Sequence, residues 1–450
     1  MTADRNYPEP GGRSRRLRLN ESWQMRGRPN QRALISLLIL LAACSGGPLA
    51  AGDAEVARGS APFEPSATAA DVTAVVAADT AFSLDLISRA WNGDNLILSP
   101  FSIATALGML EAGARGETRE QMAEVLHETL TDESLHDARG TLLAALASEP
   151  PSTDEEPPPF TLRAVNSLWA QRDYPILEDY LEVLAGSYDT GVSLLDFRAD
   201  PDAARLVIND AIAEQTEERI TDLIPEGVIT ALTRLVLTNA VYFKANWLNE
   251  FSPDLTTDGT FRTAGGAEVS VPMMHASSRI QYVDGNGYTA AWLPYVGDAA
   301  MMVILPDDDI EGLLATLTVD ELAGAGRSAG GFQVDLTMPR FEYRSELGLS
   351  PVLQDLGMQA AFLPPPGDGT ADLTGIVEAR ELYVQDVIHQ GFVKMDEKGT
   401  EAAAATAIVV GATSMPEPAS LVLDHPFLFL IQHQSSGELL FAGIVADPSA

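Results

Sequence analysis

The chain has 450 residues, 46% of them hydrophobic, and a net charge of −36. That is enough apolar material for a large core, and far too acidic a balance for a nucleic-acid or heparin binder, which needs clustered Lys and Arg. The first 44 residues hold eight Arg against three acids, so the remainder carries −41, and the three lysines, Lys244, Lys394 and Lys398, form no patch.

From Met25 the sequence reads MRGRPNQRALISLLILLAACSGG, with Arg26, Arg28 and Arg32 ahead of an apolar run from Ala33 to Ala43. Eleven residues are too few to span a bilayer, whereas a basic start and an apolar run of this length suit a secretory signal. LAAC, Leu41 to Cys44, resembles the bacterial lipobox, in which the Cys is lipidated and becomes the mature N-terminus. Cys44 is the only cysteine, which excludes an intramolecular disulfide. An ordinary signal peptide or a core strand is the alternative. The expectation is a mis-assigned start over 1–24 with Met25 as initiator, although Met1 stays open, then a signal peptide over 25–43 and a flexible tether over 44–69.

Beyond the tether, DVTAVVAADTAFSLDLISRAW has apolar residues at helical spacing, and NLILSP is a short buried strand that stops at Pro100. SIATALGMLEAGARGETREQMAEVL reads as two helices broken near Gly113 to Gly116. SEPPSTDEEPPPF, Ser148 to Phe160, holds neither helix nor ladder and is expected as a surface loop. LVLTNAVYF, Leu235 to Phe243, is uninterrupted and β-rich, the mark of a central strand. MMVILP, FQVDLTMPRF and FLFLIQHQSSGELLFAGIVADP are further strands, the last with a tight SSGE turn. No repeat or linker divides the body, so one α+β domain is expected over 70–448.

Two catalytic motifs occur in the wrong setting. GRSAG, Gly326 to Gly330, matches G-x-S-x-G, but a nucleophile elbow needs a strand before it and a helix after it. Here TVDELAGA ahead reads as helix and GFQVDLTMPRF behind reads as strand, so Ser328 is expected in a glycine-rich turn. The six histidines, at 127, 136, 275, 389, 425 and 433, form no zinc pattern. No enzyme site, cofactor or metal is expected.

The segment that asks for an explanation is DEKGTEAAAATAIVV, Asp396 to Val410. Its alanines favour helix and its β-branched end favours strand, as expected of a segment that changes state. Together with NLILSPFSIATALGMLEAGARGETREQMAEVL (95–126), LVLTNAVYFKANWLNEF (235–251), WLPYVGDAAMMVILP (292–306) and LVLDHPFLFLI (421–431), in that order along the chain, it resembles the serpin family of serine protease inhibitors. The resemblance covers about 70–448 and implies the serpin fold, three β-sheets with about nine helices and an exposed reactive-centre loop, here about 397–420. Three positions depart from the family: Ala211 replaces the usual Trp, Glu218 the usual Gly and Gln390 the usual Lys.

The resemblance implies an irreversible inhibitor: a protease cuts the loop, an acyl-enzyme forms, and the loop inserts as a new central strand, a mode of strand addition that serpins themselves exemplify. The hinge is Glu397, Gly399, Thr400, Glu401, Ala402, Ala403, Ala404, Ala405 and Thr406. On insertion, alternate side chains must face the core. From Thr400 these are Ala402, Ala404, Thr406, Ile408, Val410 and Ala412, none charged and none proline. About twelve inserted residues, at roughly 0.5–1.5 kcal/mol net per ladder bond, give on the order of 10 kcal/mol.

By the family's usual spacing the scissile bond lies between Thr413 and Ser414, with Ala412 and Met415 bounding the alternatives. No Arg or Lys lies nearby, so elastase-like or subtilisin-like targets are expected rather than trypsin-like ones. Ser99, Ser102, Asn239 and His389 match the family's polar cluster beneath the opening strands, and Trp247 matches the Trp under the first insertion point. The expected partners are a target serine protease, bound covalently, and a membrane reached through lipidated Cys44. The expected state is a monomer in the cell envelope or outside the cell. The alternative is a non-inhibitory relative acting as a surface binding or structural protein.

Overall fold

The computed structural model describes residues 54–147, 160–400 and 418–450. Strands and helices are numbered in chain order. Seven strands form the first sheet, in the spatial order β1 (Glu55–Ala57), β4 (Val192–Leu195), β3 (Phe160–Gln171), β5 (Leu235–Asn246), β13 (Gly399–Thr400), β12 (Ile388–Asp396) and β11 (Phe341–Gly348). The second sheet runs β14 (Pro418–Val422), β10 (Gly330–Pro339), β7 (Glu268–Asp284), β8 (Tyr288–Pro294), β9 (Ala299–Pro306), β15 (Phe427–His433), β16 (Leu439–Val445) and β2 (Leu96–Leu98), with β6 (Thr257–Arg262) paired to β7. The expected second and third sheets are hydrogen-bonded into one because β7, 17 residues long, pairs with β6 and β10 along most of its length and with β8 at its end.

Nine α-helices lie among the described residues: α1 (Ala69–Ala90), α2 (Pro100–Glu111), α3 (Gly116–Val125), α4 (Asp132–Ala147), α5 (Glu178–Tyr188), α6 (Pro201–Gln215), α7 (Ile310–Thr316), α8 (Val319–Ser328) and α9 (Ser350–Leu356). No helix among them is long and apolar enough to cross a membrane. Helix α2 starts where Ser99 accepts a hydrogen bond from the Ser102 N–H and Pro100 takes the first turn. Every residue of α2 is buried, which its all-round apolar sequence requires. Two large apolar clusters fill the space around the sheets and helices. A smaller one, with Val165, Trp169, Ile208, Ile212 and Ala240, packs α6 and the chain after it onto β3 and β5.

Several expectations need correction. The flexible tether expected over 44–69 does not hold from Ala54 onward, where the chain is packed onto the body; residues 44–53 lie outside the described residues. Glu55–Ala57 add a strand to the edge of β4. Arg58 pairs with Asp189, and the Ser60 and Ala61 N–H groups donate to the Glu182 carboxylate at 2.9 and 2.6 Å. A Cβ at Gly59 would lie 2.5 Å from the Leu181 carbonyl oxygen, so only glycine permits this approach. Phe160, expected in the proline-rich loop, opens β3 opposite Ala245. The exposed loop expected over 397–420 does not hold at either end, since Gly399–Thr400 and Pro418–Val422 are strands; residues 401–417 lie outside the described residues. Ser328 ends α8 and is followed by β10, the helix-then-strand order that rules out an elbow.

Candidate functional site

The central feature is the seam between β5 and β12. These strands run parallel and pair directly from Ile388 opposite Thr238 to Gly391 opposite Val241. Farther along they part, and Gly399–Thr400 sit between them, antiparallel to both: Thr400 opposite Ala245 on one side and Met395 on the other. The hinge thus enters one end of the seam by two residues, while at the other end β5 and β12 pair directly with each other.

Local chemistry explains why these two residues fit. Gly399 has φ +150°, and a Cβ there would stand 2.1 Å from the Ala245 carbonyl oxygen. Thr400 is 3% exposed; its hydroxyl shares a 2.7 Å hydrogen bond with the Tyr295 hydroxyl. It therefore faces the core, as the alternation counted from Thr400 requires. Burial pushes the Tyr295 phenol up, so it is neutral. Tyr295 stacks on Trp247 at 4.4 Å between ring centres. Trp247 holds the turn into the hinge: its indole N–H donates to the Asp396 carbonyl at 3.1 Å, and its backbone N–H to the Lys398 carbonyl at 2.8 Å.

Glu397 anchors the other side of that turn. Its carboxylate accepts from the Thr256 hydroxyl at 2.7 Å and pairs with Arg340. Burial pushes its pKa up, but the hydrogen bonds from Thr256 and Arg340 outweigh this, and the net shift is down.

Beneath the closed part of the seam lies a polar network. Asn239 of β5 donates to the Ser102 hydroxyl at 2.7 Å and to Asn166 at 2.6 Å; Ser102 donates to Asn166 at 3.1 Å. His389 of β12 donates through Nδ1 to the Asn239 side-chain oxygen at 2.5 Å, and its Nε2 accepts the Ser99 N–H at 3.2 Å. Ser99 in turn donates to the Leu440 carbonyl at 2.6 Å. Only the neutral imidazole with its proton on Nδ1 satisfies both neighbours, and burial lowers the His389 pKa to about 3. The His389–Asn239 bond crosses the seam.

The structure thus brings together Ser99, Ser102, Asn239 and His389, and separately Glu397, Gly399, Thr400 and Trp247. Glu401, Ala402, Ala403, Ala404, Ala405, Thr406, the scissile pair Thr413 and Ser414, and Cys44 lie outside the described residues. Sequence reasoning missed Asn166, Tyr295, Thr256 and Arg340. Asn166 carried a signal, a lone amide within the apolar strand VNSLWA; the other three are placed by tertiary register alone. The departures are accommodated: Gln390 donates to Glu346 at 3.0 Å on the adjacent β11, and Ala211 lies on the buried face of α6. Glu218 has φ +61°, the left-handed region that favours glycine. Among the described residues no three His, Cys, Asp or Glu side chains are placed to hold a metal ion.

Comparison with known proteins gives a consistent answer. The family model described as serpin (serine protease inhibitor) matches residues 77–448. An uncharacterized serpin-like protein of Thermococcus kodakarensis is 38% identical over 383 residues, spanning 83% of this chain and 86% of that one. The leukocyte elastase inhibitor of Sus scrofa is 36% identical over 389 residues, spanning 83% and 99%. Among solved structures, the native state of the thermophilic serpin tengpin aligns with a TM-score of 0.76 at 25% identity, covering 87% of this chain and 100% of that one. Human thyroxine-binding globulin aligns with a TM-score of 0.72 at 27% identity, covering 84% and 99%.

Proposed function

The chain belongs to the serpin family, and from that premise we propose that it is an irreversible inhibitor of elastase-like or subtilisin-like serine proteases, itself without enzymatic activity. The observation that carries this reading is the two-residue strand Gly399–Thr400 lodged between β5 and β12. The strand that insertion would extend is already started, in the direction and parity that insertion needs. Continued in register, Ala402 would lie opposite Phe243 and Val393, and Thr406 opposite Asn239 and His389. The first entering core-facing residues are small, and the Thr406 hydroxyl would arrive at the polar network as the Asn239–His389 bond gives way.

In the proposed reaction the protease serine attacks the Thr413 carbonyl and Ser414 leaves as a free amine. The acyl-enzyme ester stays on Thr413 while the loop fills the seam. Hydrolysis of that ester competes with insertion, so each small residue on the inward face favours trapping over turnover. The relatives named leukocyte elastase inhibitor support the choice of target. Thr413 suits a shallow pocket; a trypsin-like pocket would leave its buried acid unpaired. We further propose that Cys44 carries lipid and tethers the protein to a membrane of the cell envelope. A second reading, a non-inhibitory binding protein, draws on the likeness to thyroxine-binding globulin.

The test is to mix the protein with pancreatic elastase, subtilisin and trypsin, and resolve the products under denaturing conditions. A complex that survives SDS with elastase or subtilisin and is absent with trypsin, together with a released fragment beginning Ser414-Met415-Pro416, is the expected result. Cleavage of the loop without any stable complex would overturn inhibition and leave the binding-protein reading.

A further inference from the structure

The first outward-facing position beyond Thr400 has an unusual electrostatic setting. The register at the hinge places Gly399 opposite Asn246 and Thr400 opposite Ala245 on β5, and Thr400 opposite Met395 and Gly399 opposite Asp396 on β12. Continued one step further in the same register, the residue that follows Thr400 would meet Lys244 on one side and Lys394 on the other. Both lysines belong to the outward set of their strands: they alternate with the buried Phe243, Ala245, Val393 and Met395. That following residue is Glu401. The chain has three lysines in 450 residues, and two of them flank this one rung.

Lys394 already donates to Glu342 of β11 at 2.7 Å, its direct cross-strand neighbour. Lys244 has no ion-pair partner among the described residues; it faces Thr161 of β3 on its far side. We propose that Lys244 and Lys394 form a carboxylate clamp that receives Glu401 when the loop enters the sheet. This rests on the inhibitory reading above and adds a positioning device to it. Seated there, Glu401 completes a row of alternating charge across four strands: Lys244, Glu401, Lys394 and Glu342.

Directly opposed side chains on neighbouring strands have Cβ atoms about 4.5–5.5 Å apart, close enough for both pairs to form at once. The clamp fixes register at the first new rung. A strand entering one residue out of step would set alanine between the two lysines and turn Glu401 toward the core, where a charge is costly. In so acidic a body two lysines attract many carboxylates loosely, but only the residue after Thr400 is carried between them by the backbone.

The experiment is a pair of double-mutant cycles read in two forms of the protein. Wild type, Glu401→Gln, Lys244→Met, Lys394→Met and the doubles of Glu401→Gln with each lysine variant are prepared intact and after limited cleavage of the loop by subtilisin. The unfolding rate in guanidinium is measured for each. In the cleaved form Glu401 is expected to be coupled to each lysine by about threefold in rate, with no coupling in the intact form. Additive effects in a cleaved protein that is otherwise strongly stabilised overturn the clamp and leave inhibition untouched. Coupling of equal size in the intact protein overturns its assignment to the inserted state. A cleaved wild type no more stable than the intact one overturns the insertion reading and the clamp with it.

Discussion

The seam between β5 and β12 and the ion cluster under α4 both bury polar groups, and they do so in opposite ways. At the seam every partner is neutral and matched: Ser99, Ser102, Asn166, Asn239 and His389 form one network with a single consistent tautomer. Under α4 the groups are ionisable and mismatched. Arg139, 2% exposed, pairs with Asp79 at 3.1 Å and approaches Glu128 at 3.5 Å. Arg119 reaches Glu111 at 3.1 Å and Asp132 at 2.6 Å, while Glu438, fully buried, has no ion-pair partner among the described residues. Burial pushes Glu128 up to about 9, Asp79 to about 6 and Glu438 well above its usual range. A neutral network can be parted and remade at modest cost, which suits the opening proposed for this seam. A buried charge cluster is costly to disturb, which suits a junction of α1, α2, α4 and the β15–β16 turn that stays fixed.

The largest test of that contrast removes the central cation. Arg139→Leu leaves Asp79 and Glu128 without their guanidinium and should cost about 3–5 kcal/mol, equally in intact and loop-cleaved protein, as urea midpoints of both forms would show. Asn239→Leu should cost about 2–3 kcal/mol in the intact form, because it strands the His389 Nδ1–H and removes the amide that donates to Ser102 and Asn166. Its effect should differ after cleavage, since that is when the seam is filled. Equal effects in both forms would remove the distinction.

The two regions should also respond to pH with opposite signs. His389 has a folded pKa of about 3, below its ordinary 6.5, so its contribution is present above pH 6.5 and is lost as pH falls toward 3. Glu128 has a folded pKa of about 9, above its ordinary 4.5, so its contribution is full below 4.5 and declines as pH rises toward 9. Each limb should slope by about 1.4 kcal/mol per pH unit for one group. His389→Asn should flatten the acid limb and Glu128→Gln the alkaline limb, as read from urea midpoints across pH. Smallest is Glu218→Gly. Glu217 and Glu218 follow α6 with φ of +52° and +61°, so glycine at 218 should stabilise the intact protein by about 1 kcal/mol in the same assay.

The strands β5, β9, β10, β15 and β16, and the helices α1 to α3, were legible because their apolar patterns are long and their ends are marked by Pro100, the Gly113–Gly116 break and the SSGE turn. The inward orientation of Thr400 was legible because alternation is a property of a single strand. What stayed hidden depends on distant pairings. The segment after Ala54 is rich in small residues and reads as a tether; its partner Glu182 is 122 residues from Ser60. Asp79, Glu111, Arg139 and Glu438 each look like solvent-facing charges in their own elements, and only the packing of those elements against one another buries them. Tyr295 meets Thr400 for the same reason, across 105 residues.

The most direct measurement of the central claim compares melting of the intact protein with melting after the loop is cleaved near Thr413. If the seam is an unfilled strand position, on the order of 10 kcal/mol of ladder bonds forms on cleavage, and the melting temperature should rise by roughly tens of degrees. A cleaved protein that melts where the intact one does would contradict the account.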